Sequence, residues 1–522
     1  MDFIMNFPFF SIMLCMIAAI AAPVLPGKIA RKVTLGVFTA VFAMSVALLV
    51  YLGGKDQSFV YYMGHFPAPW GNEIRAGALE AVMAIFVSFI GIFSLLGGLE
   101  DVLRDLEESK INLYCVLLDL VMSSLLAMIY TNDLFTAYVF IEINTIAGCG
   151  LIMIRRDGRS KVTAVRYMTV SLLGSGLFLM GVVMTYSITG HLLMSNIQTS
   201  VAGLVSSGDY NVALTVVIGL MTVGISIKSG LYPFHLWIPD AYGYSNVASS
   251  AILSSIVSKG YIFLLIKIYL RVFGFDTVVA SKVLNVVFFF GIVGIIMGSV
   301  MAIRERNVRK IIAYSSVAQI GYIYMGIGLG TVEGLAAAVF HILAHGVTKA
   351  LLFISSADFT ERAGAKKLAQ LDCLGRKYRF SALTFSVGAL SITGFPLLAG
   401  FISKILFTNA AIGQGYRMYF AIFALAVSTA LNAVYFLRMV TKLYSTSPEK
   451  GAEVARDLHA GEAAEPSEED GAGELTVEGK APGRLRILHY IAVIALVAAN
   501  FYLGLRSRLI TDIIEKGLSL FS

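Results

Sequence analysis

Residues 228–259 read KSGLYPFHLWIPDAYGYSNVASSAILSSIVSK, with long apolar runs on both sides. The segment has a lysine at each end, a histidine at position 235, and a helix break at Gly230 and Pro233. An ionisable group at the centre of a bilayer costs roughly 2.5–3.5 kcal/mol, so such groups usually persist for function. The segment therefore indicates an ion-translocating membrane protein.

The composition of the whole chain supports a polytopic membrane protein. Of its 522 residues, 57% are hydrophobic and 14% are charged, whereas ordinary soluble domains are about 25% charged. Apolar runs of about 20 residues or more recur along the chain, as membrane helices require, and the short alternating segments of an outer-membrane barrel are missing. We therefore predict an all-α fold.

The apolar runs predict about fourteen transmembrane spans. They lie near residues 7–25, 33–53, 74–98, 111–131, 133–154, 161–188, 211–239, 244–273, 281–303, 307–329, 331–357, 380–409, 416–444 and 485–505. Lysine and arginine cluster after odd-numbered spans, as in residues 304–310, whereas residues 329–334 after span ten contain neither. Positive residues in short loops stay cytoplasmic, so both termini are predicted on the outer face.

The spans group into five predicted regions. These are 1–110 with spans one to three, 111–273 and 281–444 with five spans each, 445–484 as an insertion, and 485–522 with the last span and a tail. The insertion is acidic and has almost no large apolar residues, so we predict a disordered or loosely helical cytoplasmic segment. The tail, Arg506–Ser522, alternates apolar and charged residues at helical spacing. That pattern is compatible with an interfacial helix, a contact with a partner subunit, or a frayed terminus.

Two spans are interrupted by glycine and proline. Span seven carries Gly230 and Pro233, and span twelve carries Gly394 and Pro396. In transporters, broken helices mark ion sites, although proline kinks also serve packing alone. Because the breaks lie five spans apart, spans four to eight and nine to thirteen are predicted to be two inverted five-helix repeats.

Four segments carry the most distinctive sequence of these repeats. They are KSGLYPFHLWIPDAYGYSNVASSAILSSIVSKGYIFLL (228–265), RKIIAYSSVAQIGYIYMGIG (309–328), HILAHGVTKALLFISSA (341–357) and GFPLLAGFISK (394–404). In order and spacing they resemble the antiporter-like subunits of respiratory complex I, Mrp-type sodium/proton antiporters and membrane-bound hydrogenases. Asn307, Tyr242 and Asn246 depart from the acid, histidine and proline common in that family, so its ion specificity is not carried over.

The resemblance implies a row of protonatable side chains at mid-membrane. The matching residues are Glu142, Lys228, Lys259, His341, His345, Lys349 and Lys404. Lysine suits proton transfer because a desolvated ammonium releases its proton readily, whereas arginine does not. The two histidines and Lys349 are spaced i, i+4 and i+8, so they line one helix face. Glu142 is a lone acid in an apolar span, and pairing with Lys228 would keep it charged.

Other ionisable residues have more than one interpretation. His235 is either a relay or a hydrogen-bond donor to carbonyls freed by the break, and Asp119 is either an extra ion ligand or the partner of a nearby polar group. Lys267 and Lys442 are predicted to extend towards the lipid headgroups. Asp240 is predicted to cap the helix that follows it.

Four functions are compatible with this sequence. The leading one is a proton- or sodium-translocating subunit of a redox-driven complex, complex I-like or membrane-bound hydrogenase-like. The second is a subunit of a stand-alone Mrp-type sodium/proton antiporter. The third, a secondary transporter of an organic solute, is disfavoured by the four segments. The fourth, a catalytic oxidoreductase chain, is disfavoured because cysteine clusters, phosphate-binding glycine motifs and haem-type histidine pairs are missing from the sequence.

The same reasoning predicts the surroundings of the chain. We expect no metal and no cofactor within it, and iron–sulfur or other redox cofactors in partner subunits. The expected partners are other membrane subunits, paralogous antiporter-like chains among them, peripheral redox subunits and the lipid bilayer, with no nucleic acid. The expected location is the inner, cytoplasmic membrane.

Overall fold

The computed structural model describes residues 3–53, 57–66, 71–155, 157–208, 210–445 and 483–521. The predicted insertion at 445–484 lies outside the described residues, apart from its two ends. The division into five regions stays a prediction.

The first half of the described chain is helical except for one hairpin. Its elements are α1 (Phe7–Ala21), α2 (Gly27–Leu52), β1 (Phe59–Tyr62), β2 (Glu73–Ala76), α3 (Ala78–Asp105), α4 (Ile111–Tyr130), α5 (Leu134–Met153), α6 (Gly158–Thr189), α7 (Met194–Ser207), α8 (Asn211–Ser229), α9 (Ile238–Tyr244), α10 (Val247–Ile252) and α11 (Ser258–Arg271).

The second half of the described chain continues with helices. They are α12 (Phe275–Ala280), α13 (Val283–Arg304), α14 (Val308–Gly328), α15 (Val332–Ala357), α16 (Leu374–Lys377), α17 (Arg379–Thr393), α18 (Ala399–Ala411), α19 (Tyr416–Leu443), α20 (Gly483–Leu505) and α21 (Ser507–Ser519).

The described residues form a polytopic helical bundle. Thirteen of their helices or joined helices are long and apolar enough to cross a membrane. The predicted twelfth span is not among them, because its halves α17 and α18 contain 15 and 13 residues. Thirteen of the fourteen predicted spans thus have a counterpart among the described helices, and the crossing by α17 and α18 stays a prediction. The all-α polytopic fold is confirmed.

Both predicted breaks are present. In the seventh span α8 ends at Gly230, whose φ is +77°, and a 3-10 turn at Phe234–Trp237 precedes α9. In the twelfth span α17 ends just before Gly394, whose φ is +89°. A side chain at Gly230 would also collide with Ile238, because its Cβ would lie 2.2 Å from the Ile238 Cδ1 atom. Glycine is therefore required there by conformation and by space.

Three local features were not predicted from the sequence. The loop between spans two and three forms an antiparallel hairpin in which Phe59 pairs with Ala76. The connection after span six contains the helix α7. Within the eighth span, Leu253–Val257 forms a π-turn between α10 and α11. Such turns frequently occur at functional sites.

The helices that carry Lys259, the two histidines and Lys349 occupy the centre of the bundle. The membrane-spanning windows within Val247–Arg271 and Val332–Arg362 are completely buried. The windows within Gly27–Leu52 and Gly158–Thr189 are only 33% and 39% buried, so α2 and α6 lie at the periphery. Lys259 and the histidines are therefore enclosed by protein.

The C-terminal tail is an ordered helix that packs on its own chain. Along α21, Ile514, Gly517 and Leu518 are buried. A Cβ at Gly517 would lie 2.6 Å from the Cβ of Leu79 in α3, so the two helices are in close contact. The frayed terminus, one of three interpretations of the tail sequence, is wrong.

Candidate functional site

The seventh-span break places a buried lysine beside an acid. Lys228 lies in the last turn of α8, where the helix dipole favours a positive charge, and it is 2% exposed. Its Nζ atom lies 3.6 Å from Oε1 of Glu142 in α5 and donates a hydrogen bond of 2.5 Å to Oγ1 of Thr145. The structure therefore brings Glu142 and Lys228 together as the sequence predicts.

The π-turn in the eighth span supplies the contacts of Lys259. This lysine lies two residues after the turn and is completely buried, and its Nζ donates to the carbonyl oxygen of Ser254 within the turn. The hydroxyl of Ser254 lies 3.3 Å from the hydroxyl of Ser316 in α14. A π-turn bonds i to i+5 instead of i to i+4, which leaves the Ser254 carbonyl in reach of the lysine. The turn thus connects Lys259 to α14.

Lys349 extends from α15 to the part of α14 that contains Ser316. Its Nζ donates to the carbonyl oxygen of Ile312 at 2.7 Å and to the hydroxyl of Ser315. The hydroxyl of Ser316 also donates to the Ile312 carbonyl, at 3.4 Å. Lys259 and Lys349 therefore share one hydrogen-bonded group of serines. Sequence reasoning missed these serines, although the segments 228–265 and 309–328 contain them.

The two histidines of α15 form a stacked pair. The rings of His341 and His345 are nearly parallel, with an interplanar angle of 8° and centroids 5.7 Å apart. Nδ1 of His341 lies 2.7 Å from the hydroxyl of Ser403 in α18. Both rings lie within electrostatic range of Lys259, and His345 also of Lys349. The ladder predicted from the i, i+4, i+8 spacing thus has Lys259 beside it.

The twelfth-span break holds the last lysine of the row. Nζ of Lys404 donates to the carbonyl oxygen of Thr393, where α17 ends, at 2.8 Å and to Oγ1 of Thr429 at 2.9 Å. A Cβ at Gly394 would lie 2.9 Å from this Nζ atom, so glycine leaves room for the lysine. Lys228 thus lies in the last turn of the first half of its broken span, and Lys404, in the second half of its span, binds the C-terminal end of the first half.

The last span contributes an amide that the sequence analysis missed. Asn500 in α20 is completely buried. Its Oδ1 accepts from the hydroxyl of Ser391 at 3.0 Å and from the backbone N–H of Ala399 at 3.3 Å, and its Nδ2 donates to Oγ1 of Thr348 at 2.8 Å. Asn500 therefore caps α18 and joins both halves of the twelfth span to α15. A lone asparagine in an apolar span is a signal that could have revealed it.

Replacing Asn500 with alanine should destabilise the chain by about 1–3 kcal/mol, because the N–H of Ala399 and the hydroxyl of Thr348 would lose a buried partner. The thermal unfolding midpoint of the purified assembly measures this effect. The control is Asn409→Ala, which removes an exposed amide from α18. Equal midpoints for the two variants would contradict the capping role.

Two accessory candidates lie apart from the lysine row. Asp119 accepts a hydrogen bond of 2.9 Å from Oγ1 of Thr34, between α4 and α2, which agrees with the pairing interpretation. Nε2 of His235 lies 3.3 Å from the sulfur of Met301, and its ring stacks on Tyr232. These contacts give His235 no neighbour in the row, whereas its hydrogen bond to the backbone at Pro233, in the break, agrees with the structural interpretation.

The prediction that Lys267 extends to the headgroups is wrong, and the same prediction for Lys442 stays a prediction. Lys267 is completely buried and donates to the carbonyl oxygens of Met128, Ile129 and Thr131 at 2.9, 2.9 and 2.7 Å. It therefore satisfies carbonyls at the C-terminal end of α4, where a positive charge is favourable. Lys442 is half-buried and lies 3.1 Å from a carboxylate oxygen of Asp372.

Asp240 was also predicted wrongly as a helix cap. Its carboxylate lies in the first turn of α9 and pairs with Arg166 of α6 at 2.6 Å and with Lys310 of α14 at 2.8 Å. Asn246 instead caps α10, because its side chain accepts from the N–H of Ser249. Asp240 thus joins three helices at the end of the bundle.

A buried ion network lies at the same end of the bundle. Glu361 accepts hydrogen bonds from Arg155 at 3.0 Å and from Arg309 at 2.9 Å. Arg309 also donates to the Ser245 carbonyl at 2.5 Å and to the Ser250 hydroxyl at 2.6 Å, between α9 and α10. The network therefore fixes the chain that connects Lys228 to Lys259. The sequence showed these cations only as orientation signals.

The sequence of this chain is similar to that of a known protein family. Residues 131–432 match the family described as NADH:quinone oxidoreductase/Mrp antiporter, TM. The chain belongs to this family. It is 31% identical over 437 residues to NADH-quinone oxidoreductase subunit N of Desulforudis audaxviator, covering 81% of this chain and 85% of the relative. The resemblance carried by the four segments is thereby confirmed.

Members of the family include antiporter proteins. The chain is 27% identical over 370 residues to a Na(+)/H(+) antiporter subunit of Alkalihalophilus pseudofirmus, covering 70% of this chain and 72% of the relative. A chain in the structure of the Mrp complex from Dietzia sp. DQ12-45-1b superposes with a TM-score of 0.84 at 23% identity, covering 99% of this chain and 97% of that chain. The superposition shows that the fold is shared.

Proposed function

We propose that this chain is the ion-translocating subunit of a multi-subunit membrane complex and that its buried lysine and histidine row carries the ion. The observation that carries the proposal is the contact set of three central lysines. Lys259, Lys349 and Lys404 donate to carbonyl and hydroxyl oxygens inside the bundle. Neutral oxygens stabilise an ammonium less than a carboxylate does. Such a lysine can change its charge at low cost.

The Glu142–Lys228 pair gives the row a point of control. Two unit charges 4 Å apart interact by about 4 kcal/mol at an effective dielectric constant of 20. That energy corresponds to a change in proton affinity of about a thousandfold, since about 1.4 kcal/mol is tenfold. Approach of Glu142 holds a proton on Lys228, and its withdrawal releases the proton. The same coupling passes from Lys259 through the histidines to Lys404.

A partner membrane subunit is expected against Glu142. The side chain of Glu142 is 21% exposed although Lys228 is buried. Phe135, Val139 and Ile146 are exposed on the same helix, one to two turns away. A carboxylate facing lipid at bilayer depth is costly. A neighbouring subunit, in our proposal a paralogue of this chain, covers this face and changes the charge near Glu142.

Redox energy is the driving force we favour. Subunit N of an NADH-quinone oxidoreductase, 31% identical to this chain, supports a redox-driven complex in which partner subunits hold iron–sulfur or other cofactors. The Mrp complex and the sodium/proton antiporter relative support the second candidate, a stand-alone antiporter. In either case we place the complex in the inner membrane with both termini of this chain outside.

Mass spectrometry of the gently solubilised native assembly, with its iron content, tests this choice. Iron and NADH-oxidising or hydrogenase-like subunits in the same particle would identify the chain as the pump module of a redox enzyme. An iron-free particle that contains membrane subunits and paralogues of this chain would contradict the redox proposal and identify an antiporter.

A further inference from the structure

A polar cavity that the lysine row does not use lies where α5, α6, α9 and α14 meet. Its volume is about 330 Å³. The charged residues of its lining are Arg155, Arg159, Arg309, Lys366, Asp157 and Glu361. At about 30 Å³ per water molecule, it has room for a phosphate group and its hydration shell. The cavity lies on the face that the sequence predicts to be cytoplasmic.

A second cavity adjoins the first. Its volume is about 360 Å³, and it shares Arg159 and Tyr244 with the first cavity. Arg166 and Lys310 add two more cations to its lining, and Val162 of α6 adds an apolar side chain. The pair of cavities thus has a cationic interior and an apolar side.

The acids of the lining already have partners. Glu361 is held by Arg155 and Arg309, and Asp240 in the second cavity is held by Arg166 and Lys310. Asp157 caps α6, because its side chain accepts from the backbone N–H of Arg159. Arg159 and Lys366 are exposed and form no ion pair within the described ranges. The cavities therefore have positive charge that the protein leaves uncompensated.

Two helix N-termini and a buried guanidinium point to an anion. Helix α6 begins behind Asp157, helix α14 begins behind Asn307, and both residues line the first cavity. Helix N-termini bind phosphate through free N–H groups and the helix dipole. Arg309 is 4% exposed, and its Nε has no hydrogen-bond partner in the part of the chain that the structure describes. This buried donor lies in the lining and can serve a bound anion.

We propose that the joined cavities bind the phosphate headgroup of an anionic phospholipid. Arginine forks and helix N-termini suit a phosphodiester, and basic pockets between membrane helices on the cytoplasmic side bind such headgroups. The lipid source is favoured over free phosphate because Val162, 63% exposed, lines the second cavity. Further along α6, Val165, Leu172 and Leu173 are exposed and offer a surface for an acyl chain.

Native mass spectrometry of the delipidated assembly tests the proposal. The probes are nanodiscs that contain cardiolipin, nanodiscs of phosphatidylcholine alone, and inorganic phosphate. The wild type should retain cardiolipin and not phosphatidylcholine. The double variant Arg159→Gln/Lys366→Gln should bind cardiolipin about 25-fold more weakly, because each cation near an anionic lipid surface contributes about fivefold. An unchanged thermal midpoint is expected, since neither residue forms an ion pair among the described residues.

The matched control is Lys161→Gln, which removes an exposed cation of α6 outside both cavities. No loss is expected in this control, and the same loss per removed charge as in the double variant, about fivefold, would mean diffuse attraction and would overturn the site. Undiminished cardiolipin binding by the double variant, or equal retention of phosphatidylcholine, would also overturn it. If inorganic phosphate displaced no lipid yet bound at the same residues, the site would be for a free anion and the lipid proposal would fail.

Discussion

Replacing Lys228 with alanine should abolish ion translocation while the complex remains assembled. Alanine removes the group that Glu142 controls from 3.6 Å away, so the row loses its coupling to the neighbouring subunit. Lys228→Arg should also impair transport, by at least about tenfold, because the pKa of arginine lies at least two units above that of lysine and the proton is not released. The measurement is the formation of pH and sodium gradients by the native assembly in proteoliposomes.

The control for these variants is Lys442→Ala. Lys442 is a half-buried lysine that pairs with Asp372 away from the row. Its removal should leave the translocation rate near that of the wild type. A Lys228→Ala complex that is assembled and translocates ions at the wild-type rate would show that Lys228 is not on the path.

Replacing Glu361 with glutamine should destabilise the chain by about 3–5 kcal/mol. Breaking a buried ion pair from one side leaves the other charge unpaired in a low-dielectric interior. Here two guanidinium groups, those of Arg155 and Arg309, would lose their shared carboxylate. Burial opposes the charge of Arg155, but the carboxylates of Asp105 and Glu361 outweigh burial and raise the pKa of Arg155. Arginine stays charged at neutral pH in any case, so neither guanidinium escapes the loss by neutralisation, although Arg155 keeps Asp105 at 3.4 Å.

The thermal midpoint of the purified assembly and the yield of folded chain measure this destabilisation. Glu333→Gln is the control, because Glu333 is exposed near the start of α15. The double variant Glu361→Gln/Arg155→Gln should recover part of the loss, since it removes one of the two guanidinium groups that lose the Glu361 carboxylate. A Glu361→Gln assembly as stable as the Glu333→Gln assembly would contradict the structural role of the network.

The sequence predicts the features of this chain that are encoded locally. Apolar runs reveal the spans, and glycine with proline reveals the breaks at Gly230 and Gly394, because each signal resides in a few consecutive residues. The contact between Glu142 and Lys228 was also predicted, because two opposite charges in apolar spans each need a partner.

Other features could not be read from the sequence because they depend on packing between distant segments. Lys267 binds carbonyls of residues more than 130 positions earlier, so its burial is set by the tertiary fold and not by its place near a helix end. The π-turn at Leu253–Val257 is defined by backbone bonding that no residue type encodes. Asn500 lies in the last span but accepts hydrogen bonds from Ser391 and Ala399 of the twelfth span, and only the folded bundle brings these residues together.

The most direct test of the central claim is ion translocation by the Lys259→Met assembly in proteoliposomes. Methionine fills a similar volume and stays apolar, so the packing around the π-turn is conserved while the charge at the centre of the row is removed. We predict an assembled complex that forms neither a pH gradient nor a sodium gradient. Translocation at the wild-type rate by that complex would contradict the assignment of the buried row as the ion path.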